Sequence, residues 1–451
     1  MTDGAHGVTE ALALAYALGV ALYTSAYFAL YVAGVSTGAA AAPALGVMLV
    51  GLAAGACGLR LARRGETYRA GEGGGTPLIV LMGLAAALVQ VWIAAGTAVR
   101  SQLRFWDAWF VWAVKARMFL ADGPPPGYFK GALGPVAHPD YPLNAPLAEA
   151  AFFRLPAPLG TPLASLVGTF SLAALLALFY VGTARLYGRD RAAMATGLLA
   201  LVPVLTRWAA LGYTDPMLAL YGGTSLLYLA LWWRERQPAD LVLMGLMAGG
   251  AIWTKKEGTV IAALVLLAAA LGEVRRDDAP RRRLSAILIG VLATVAVPLP
   301  WLIFTRATRP LATDFWPFTP SVFMAHAERL PNILALFGQE MLTLNHWSLF
   351  WIALVAVLVL TGLHRLSGQG WALLLLLCAQ LAIYVVSFVF SYWVPYTAHI
   401  ATSADRLLLH TLPWAALLML EATESLLPAH AHMRVAPMAH LPATGDRAVA
   451  R

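Results

Sequence analysis

Long apolar segments recur along the whole chain of 451 residues, and they constrain its fold more than any other feature. A helix needs about 20 apolar residues to cross the roughly 30 Å of hydrocarbon in a bilayer, and about twelve segments approach that length. Hydrophobic residues make up 60% of the chain and charged residues 12%, a balance that would cover a soluble protein of this size with apolar patches. The sequence therefore predicts an all-α polytopic membrane protein with about twelve transmembrane helices.

The predicted spans divide the chain into one domain, 1–427, and a tail, 428–451. The tail is expected to be disordered and cytoplasmic, because its His, Pro and Arg residues follow no apolar pattern. The N-terminal stretch MTDGAHGVTE lacks the basic region and cleavage site of a removable signal, so the first span is expected to stay in the mature protein. The predicted spans are 11–35, 39–59, 77–98, 161–184, 192–206, 215–233, 241–253, 258–271, 284–304, 347–363, 371–390 and 407–427.

Arginine-rich connections indicate how the chain is oriented. RLARRGETYR, RLYGRDR, RERQ, EVRRDDAPRRR and HRLSG fall in alternate connections, and the positive-inside rule makes that side cytoplasmic. Both termini then lie in the cytoplasm of a cell or plasma membrane protein, and the connections 99–160, 306–346 and 391–406 face outside. The net charge of +8 comes from these scattered loops and offers no clustered face for nucleic acid.

Neither cysteine chemistry nor metal binding has a signature in the sequence. Cys57 and Cys378 lie in apolar runs, where small buried hydrophobic side chains are expected. The external connections contain no HxxxH, CxxC or DxD pattern. No cofactor is predicted, and a divalent metal has no support in the sequence.

Two predicted spans, 241–253 and 258–271, are short and would each rise only about 20 Å as helices. They meet at TKKEG, which places Lys255, Lys256 and Glu257 at the tip of a hairpin. A tip at that depth would lie at the floor of an external cavity, where ionisable groups are costly and indicate a functional site. The alternative is a loop whose lysines snorkel to the interface.

The first external connection carries an aromatic stripe. Trp106, Trp109 and Trp112 are three residues apart, so on a helix they are expected to share one face. Indole rings favour the headgroup zone, and the stripe therefore predicts an amphipathic helix on the membrane surface. Such a helix could form one wall of a groove for a lipid chain.

Two charged residues accompany the stripe. Asp107 lies beside it, and Lys115 follows two turns later. A carboxylate held against aromatic rings can act as a general base. The alternative is a solvated carboxylate that pairs with Arg104.

The same connection ends in the segment HPDYP. Pro139 and Pro142 fix their own φ and disfavour helix at the residues before them. His138, Asp140 and Tyr141 are therefore expected on a stiff, extended segment, a placement that suits substrate binding. The alternative is a loop that caps the bundle and bonds only to backbone.

Two further predicted external positions carry charge at the start of a span. Asp215 precedes Pro216, which is equally typical of a site residue and of a helix N-cap. Asp405 and Arg406 lie at the mouth of the last span, where the planar guanidinium could grip a phosphate. The alternative for the second position is a local Asp–Arg pair.

Four segments together resemble the GT-C integral-membrane glycosyltransferases of the protein O-mannosyltransferase and aminoarabinose transferase kind. They are the Asp among aromatics, HPDYPL roughly thirty residues later, the hairpin GAIWTKKEG and the late DRLLLHTLP. The resemblance implies a GT-C-like bundle, a polyprenyl-phosphate sugar donor and inverting transfer, with the external-loop aspartate as general base. Asp107 matches that position. The chain departs from the family in having two spans before the one that leads into the loop, and WDAW where the mannosyltransferases have Asp-Glu.

The chemistry of a lipid-phosphate donor agrees with this assignment. Its anionic leaving group needs cations near the headgroups, which Lys255, Lys256 and Arg406 can supply. The other predicted substrate-binding residues are Trp106, Trp109, Lys115, His138, Asp140, Tyr141, Asp215 and Glu257. The expected partners are a polyprenyl-phosphate-linked sugar, a glycan, lipid or protein acceptor, and the bilayer.

Two other classes of protein remain open. A polysaccharide polymerase or ligase with a lipid-pyrophosphate donor would also be polytopic, and 306–346 could be its large late loop. A secondary transporter would have about as many spans, but it would be expected to show two related halves, which this sequence lacks.

Overall fold

The structure is a computed structural model that describes residues 3–62, 76–134, 138–275, 280–312 and 314–424. The described residues form α-helices joined by short π and 3₁₀ turns, and their only β pairing is an isolated bridge between Phe315 and Ser391. The all-α prediction is confirmed. The predicted tail at 428–451 lies outside the described residues.

The α-helices are numbered in chain order. They are α1 Asp3–Val32, α2 Thr37–Ala62, α3 Pro77–Ser101, α4 Val114–Leu120, α5 Asn144–Phe153, α6 Ala157–Ser165, α7 Val167–Tyr187, α8 Arg189–Ala200, α9 Pro203–Ala210, α10 Asp215–Glu235, α11 Pro238–Thr254, α12 Glu257–Val274, α13 Pro280–Ala296, α14 Leu299–Thr308, α15 Pro320–His326, α16 Leu330–Met341, α17 Leu344–Trp347, α18 Phe350–Thr361, α19 Gly368–Ser387 and α20 Tyr396–Glu424.

Among the described residues, six helices are long and apolar enough to cross a membrane. The number rises to eight if each of two bent pairs is one span: α8 with α9, at 62°, and α13 with α14, at 66°. A multi-pass membrane protein is thus confirmed, but the predicted count of about twelve is not supported. Several segments that are apolar in sequence form short or broken helices, such as α18 with 12 residues.

The centre of the molecule is α10, which packs against α7, α11 and α20. Close approach of α10 to α20 depends on Gly223, because a Cβ there would lie 2.6 Å from the Pro413 ring. Trp414 of α20 also donates from Nε1 to the carbonyl of Gly222, at 2.9 Å. These contacts fix the register between the start of α10 and the middle of α20, which both carry site residues.

The predicted hairpin is formed by α11 and α12. Its two arms meet tightly, since a Cβ on Gly258 would lie 1.9 Å from the carbonyl oxygen of Ala251. Buried hydrogen bonds anchor the end of α11: Asn144 donates to Thr254 at 3.0 Å and accepts from Thr24 at 2.8 Å. The hairpin tip is therefore held rigidly against α1 and α5.

Some predicted features differ in the structure. Cys378 is exposed on α19, so the prediction of a buried thiol is wrong there; the side chain of Cys57 lies outside the described part. The predicted loop 306–346 is largely helical and contains α15 and α16.

Candidate active site

A large cavity of about 1390 Å³ lies between the 105–141 segment, the hairpin tip, α19 and the start of α20. Its lining combines charged groups with an apolar wall. The charged lining residues are Asp107, Lys255, Lys256, Glu257, Asp314 and Arg406. The hairpin tip, Asp107 and Arg406, which were singled out in the sequence, all line this cavity.

Asp107 and Arg406 form an ion pair across 299 residues of sequence, from Nη1 of the arginine to Oδ2 of the aspartate. Arg406 also donates from Nη2 to the carbonyl of Thr402 at 2.8 Å, and it lies over the Tyr213 ring at 5.3 Å. Asp405 does not pair with that guanidinium but accepts a hydrogen bond from the Trp208 indole, at 2.9 Å. Both sequence alternatives, a pair with Arg104 and a local Asp–Arg pair, are therefore wrong.

The three tryptophans do not form one stripe. Residues Asp107–Ala113 make a π-helix, whose i→i+5 bonds rotate side chains three apart onto different faces. Trp106 lines the cavity and stacks on Phe110, with centroids 4.3 Å apart. Trp109 lies outside the cavity lining, under the Arg117 guanidinium, while Trp112 is buried and lines the cavity.

Asp215 is fully buried beneath the hairpin tip. Its Oδ1 accepts from Lys255 Nζ and from His410 Nε2, each at 2.9 Å. The N-cap position of α10 is Thr214, and the Asp215 side chain points to the other two partners instead. The prediction that Asp215 is a helix N-cap is therefore wrong. It supports the lining residue Lys255 without itself lining the cavity.

A second pair of charges joins the HPDYP segment to the hairpin tip. Lys256 donates to Asp140, and its ammonium lies 4.9 Å from the centroid of the Tyr141 ring. Asp140 itself does not line the cavity. Lys115 is buried and donates to the carbonyl of His138 at 2.8 Å, so it holds the segment in place and has no lining position.

The HPDYP segment is a turn and not an extended strand. His138 has φ +42°, in the left-handed region, and the amide of Tyr141 donates back to the His138 carbonyl at 3.1 Å. The two rings stack with centroids 4.7 Å apart. The bond from Lys115 to the same carbonyl stabilises a conformation that Pro139 alone would disfavour. Both rings line the cavity.

The lining residues that were not predicted include Asp314, Tyr384 and His399. Asp314 accepts from the Tyr141 hydroxyl at 3.0 Å and lies 3.4 Å from Nδ1 of His138. The signal that could have found it is ATDFWPF, an aspartate among aromatic rings like that of FWDAW. His399 lies in a segment already singled out for Arg406, and Tyr384 has no signal within its apolar helix.

Three titratable side chains near the cavity have shifted pKa values. Burial lowers the pKa of Lys115 to about 7, although the nearby charge of Asp140 partly opposes it. Burial likewise lowers the pKa of His399 to about 4. Burial alone would raise the pKa of Asp314, but the hydrogen bond and charge of His138, with the charge of Lys256, hold that pKa below its usual range.

One wall of the cavity is apolar. Ile383 and Val386 of α19 line it, and each side chain is 38% exposed. Val260 of α12 and Leu407 of α20 continue this wall. Within the described part of the chain, no three His, Cys, Asp or Glu side chains converge on a point that could hold a metal ion.

Comparison with known proteins agrees with the assignment from the motifs. Residues 147–304 match the family model of the dolichyl-phosphate-mannose-protein mannosyltransferases, and the matched stretch contains Asp215 and the hairpin tip. Asp107 and Arg406 lie outside it. The match supports a GT-C superfamily glycosyltransferase that depends on a polyprenyl-phosphate sugar. No curated protein and no solved structure matches the chain.

Proposed function

We propose that this protein is a GT-C membrane glycosyltransferase. It moves a sugar, with inversion, from a polyprenyl-phosphate carrier to an acceptor hydroxyl on the external face of the cell membrane. The observation that carries the proposal is the contact of Asp107 with Arg406 on a cavity that also holds Lys255, Lys256 and an apolar wall. These groups supply a base, cations for a leaving phosphate and a surface for its lipid chain.

The cations are the groups that receive the leaving phosphate. An ammonium has three N–H donors. Lys255 donates to Asp215 at 2.9 Å and lies 3.2 Å from Glu257, so at least one donor remains for a ligand. The charged lining contains three acidic and three basic side chains. The phosphate is therefore held by local charge-assisted hydrogen bonds and not by a net positive field.

Asp107 is the base in this proposal. When Arg406 turns to the donor phosphate, Asp107 loses its partner and can take the proton of the acceptor hydroxyl. The acceptor oxygen then bonds to the anomeric carbon from the face opposite the phosphate. The bond from that carbon to the phosphate oxygen breaks, and its electron pair leaves with the polyprenyl phosphate. One displacement of this kind inverts the anomeric centre.

The apolar wall supports a path for the lipid chain. Ile383 and Val386 line the cavity from α19, a helix that is long and apolar enough to cross a membrane. A polyprenyl chain on this wall would leave its phosphate at the hairpin tip. This path replaces the tryptophan stripe as the proposed groove.

Radiolabelled transfer by the purified full-length protein tests the proposal. The donors are polyprenyl-phosphate mannose, the corresponding pentose and aminopentose carriers, and polyprenyl-pyrophosphate mannose, with a cell-envelope extract as acceptor. Transfer from a monophosphate donor, with release of polyprenyl phosphate, is expected. Transfer from the pyrophosphate donor alone would identify a polymerase or ligase. Uptake of labelled sugar into liposomes without transfer would identify a transporter.

A further inference from the structure

We propose that Asp215 and His410 are positioning residues that hold Lys255 in place for the donor phosphate, and that Tyr384 fixes the His410 ring. The inference rests on the proposed function, because it assigns Lys255 to the phosphate. It concerns a hydrogen-bond network of four side chains, two of which line the cavity.

The geometry links four parts of the fold through one carboxylate oxygen. Oδ1 of Asp215, at the start of α10, accepts from Lys255 Nζ at the hairpin tip and from His410 Nε2 on α20, each at 2.9 Å. The other ring nitrogen of His410, Nδ1, lies 3.1 Å from the Tyr384 hydroxyl on α19. Lys255 and Tyr384 line the cavity, whereas Asp215 and His410 do not.

The hydrogen-bond chemistry fixes the direction of this network. A carboxylate only accepts, so Nε2 of His410 carries the hydrogen and Nδ1 of the neutral ring is an acceptor. The Tyr384 hydroxyl therefore donates to His410, and its oxygen keeps the capacity to accept a hydrogen bond. The network thus presents one donor, Lys255, and one acceptor, Tyr384.

The charge balance makes Lys255 dependent on Asp215. Among the described residues, Oδ2 of Asp215 has no hydrogen-bond partner, so the side-chain hydrogen bonds of this buried carboxylate, to Lys255 and His410, are both made by Oδ1. His410 lies one turn after Arg406 on α20, and the two therefore share a face. One helix face thereby orients both proposed phosphate ligands, Arg406 by itself and Lys255 through Asp215.

A double-mutant cycle tests the coupling. The measurement is the affinity of purified full-length protein in nanodiscs for polyprenyl phosphate. Asp215→Asn and Lys255→Met are each expected to weaken binding about 10-fold or more, the scale of a lost charge-assisted hydrogen bond. If Asp215 acts through Lys255, the double variant binds no more weakly than Lys255→Met alone. Additive losses would overturn the inference.

Two substitutions of His410, by Gln and by Leu, distinguish a positioning role from a merely structural one. The Gln amide can donate a hydrogen bond as Nε2 does, whereas Leu cannot. His410→Gln is expected to stay within about 3-fold of the wild-type affinity, and His410→Leu to lose about 10-fold. Equal losses in both variants, with unchanged thermal midpoints, would contradict the positioning role.

The outcomes separate this inference from the proposed function. Wild-type protein that binds polyprenyl phosphate and transfers sugar, but shows additive losses in the cycle, refutes only the role of Asp215 and His410. Folded wild-type protein that neither binds polyprenyl phosphate nor transfers sugar refutes the proposed function and this inference together.

Discussion

Replacing Asp107 with Asn is expected to have opposite effects on turnover and on donor binding. The amide keeps the size of the side chain but cannot take the acceptor proton, and loss of a general base slows the chemical step by about 10²-fold or more. The same change removes the partner of Arg406. The guanidinium no longer has to leave a carboxylate when the donor phosphate arrives.

The size of the gain in donor affinity follows from the exposure of the pair. The Arg406 and Asp107 side chains are 14% and 24% exposed, so the pair is neither fully solvated nor fully buried. A pair of that kind is worth about 1 kcal/mol after solvent screening, and each 1.4 kcal/mol is tenfold in affinity. Asp107→Asn is therefore expected to bind polyprenyl phosphate up to about 5-fold more tightly than wild type.

The assay is single-turnover transfer at saturating donor, with donor affinity measured on the same preparation. Asp140→Asn is the matched control, because it removes a carboxylate from a cavity cation, Lys256, in the same loop. The control is expected to transfer sugar at a rate close to wild type. If Asp140→Asn abolishes transfer while Asp107→Asn does not, the base has been misassigned, and the role given to the Asp107–Arg406 pair is refuted.

Three other predictions concern the lipid path, pH and orientation. Ile383→Trp should fill the apolar wall and weaken binding of polyprenyl-phosphate mannose, but not of a short-chain analogue; equal weakening of both would refute the path. Because burial lowers the pKa of His399 to about 4 from an ordinary value near 6.5, its contribution to stability is complete above pH 6.5 and is lost as pH falls towards 4. Between pH 7 and 4 the free energy of unfolding of the wild type should therefore fall by roughly 2–3 kcal/mol more than that of His399→Gln. Equal falls in the two proteins would contradict this. With the native cysteines replaced, an impermeant thiol reagent should label Glu328→Cys but not Arg281→Cys in intact cells, and the reverse pattern would refute the predicted orientation.

The match between sequence and structure is closest where the signal is local. Apolar segments predict helices because burial of backbone polar groups in lipid leaves few alternatives. The charged run TKKEG between two apolar segments predicts a hairpin tip, and the residues of that tip line the cavity. The prediction that both arms are short is wrong for α12, which has 18 residues and is long enough to cross a membrane. The aspartate in FWDAW was found because a charge among aromatic rings is unusual in a chain with only 12% charged residues.

The predictions from sequence were wrong where the backbone departs from a regular α-helical or extended conformation. Three tryptophans at equal spacing predict one face only on an α-helix, and the π-helix Asp107–Ala113 separates them. His138 was expected to be extended because Pro139 follows it, but its carbonyl is held by Lys115 in a left-handed turn. Sequence cannot show such a distant partner.

The sequence by itself determined the class of this protein: an all-α membrane chain with a charged hairpin tip and an acidic aromatic loop, because hydrophobic length and residue type are local properties. Only the tertiary structure decided which polar side chains meet. Asp107 finds Arg406 across 299 residues, and Asp215 finds His410 across 195. The second of these contacts depends on the packing of α10 against α20, where Gly223 leaves room for the Pro413 ring. Either charge of a pair is costly to bury alone, so the fold that pairs them also defines the site.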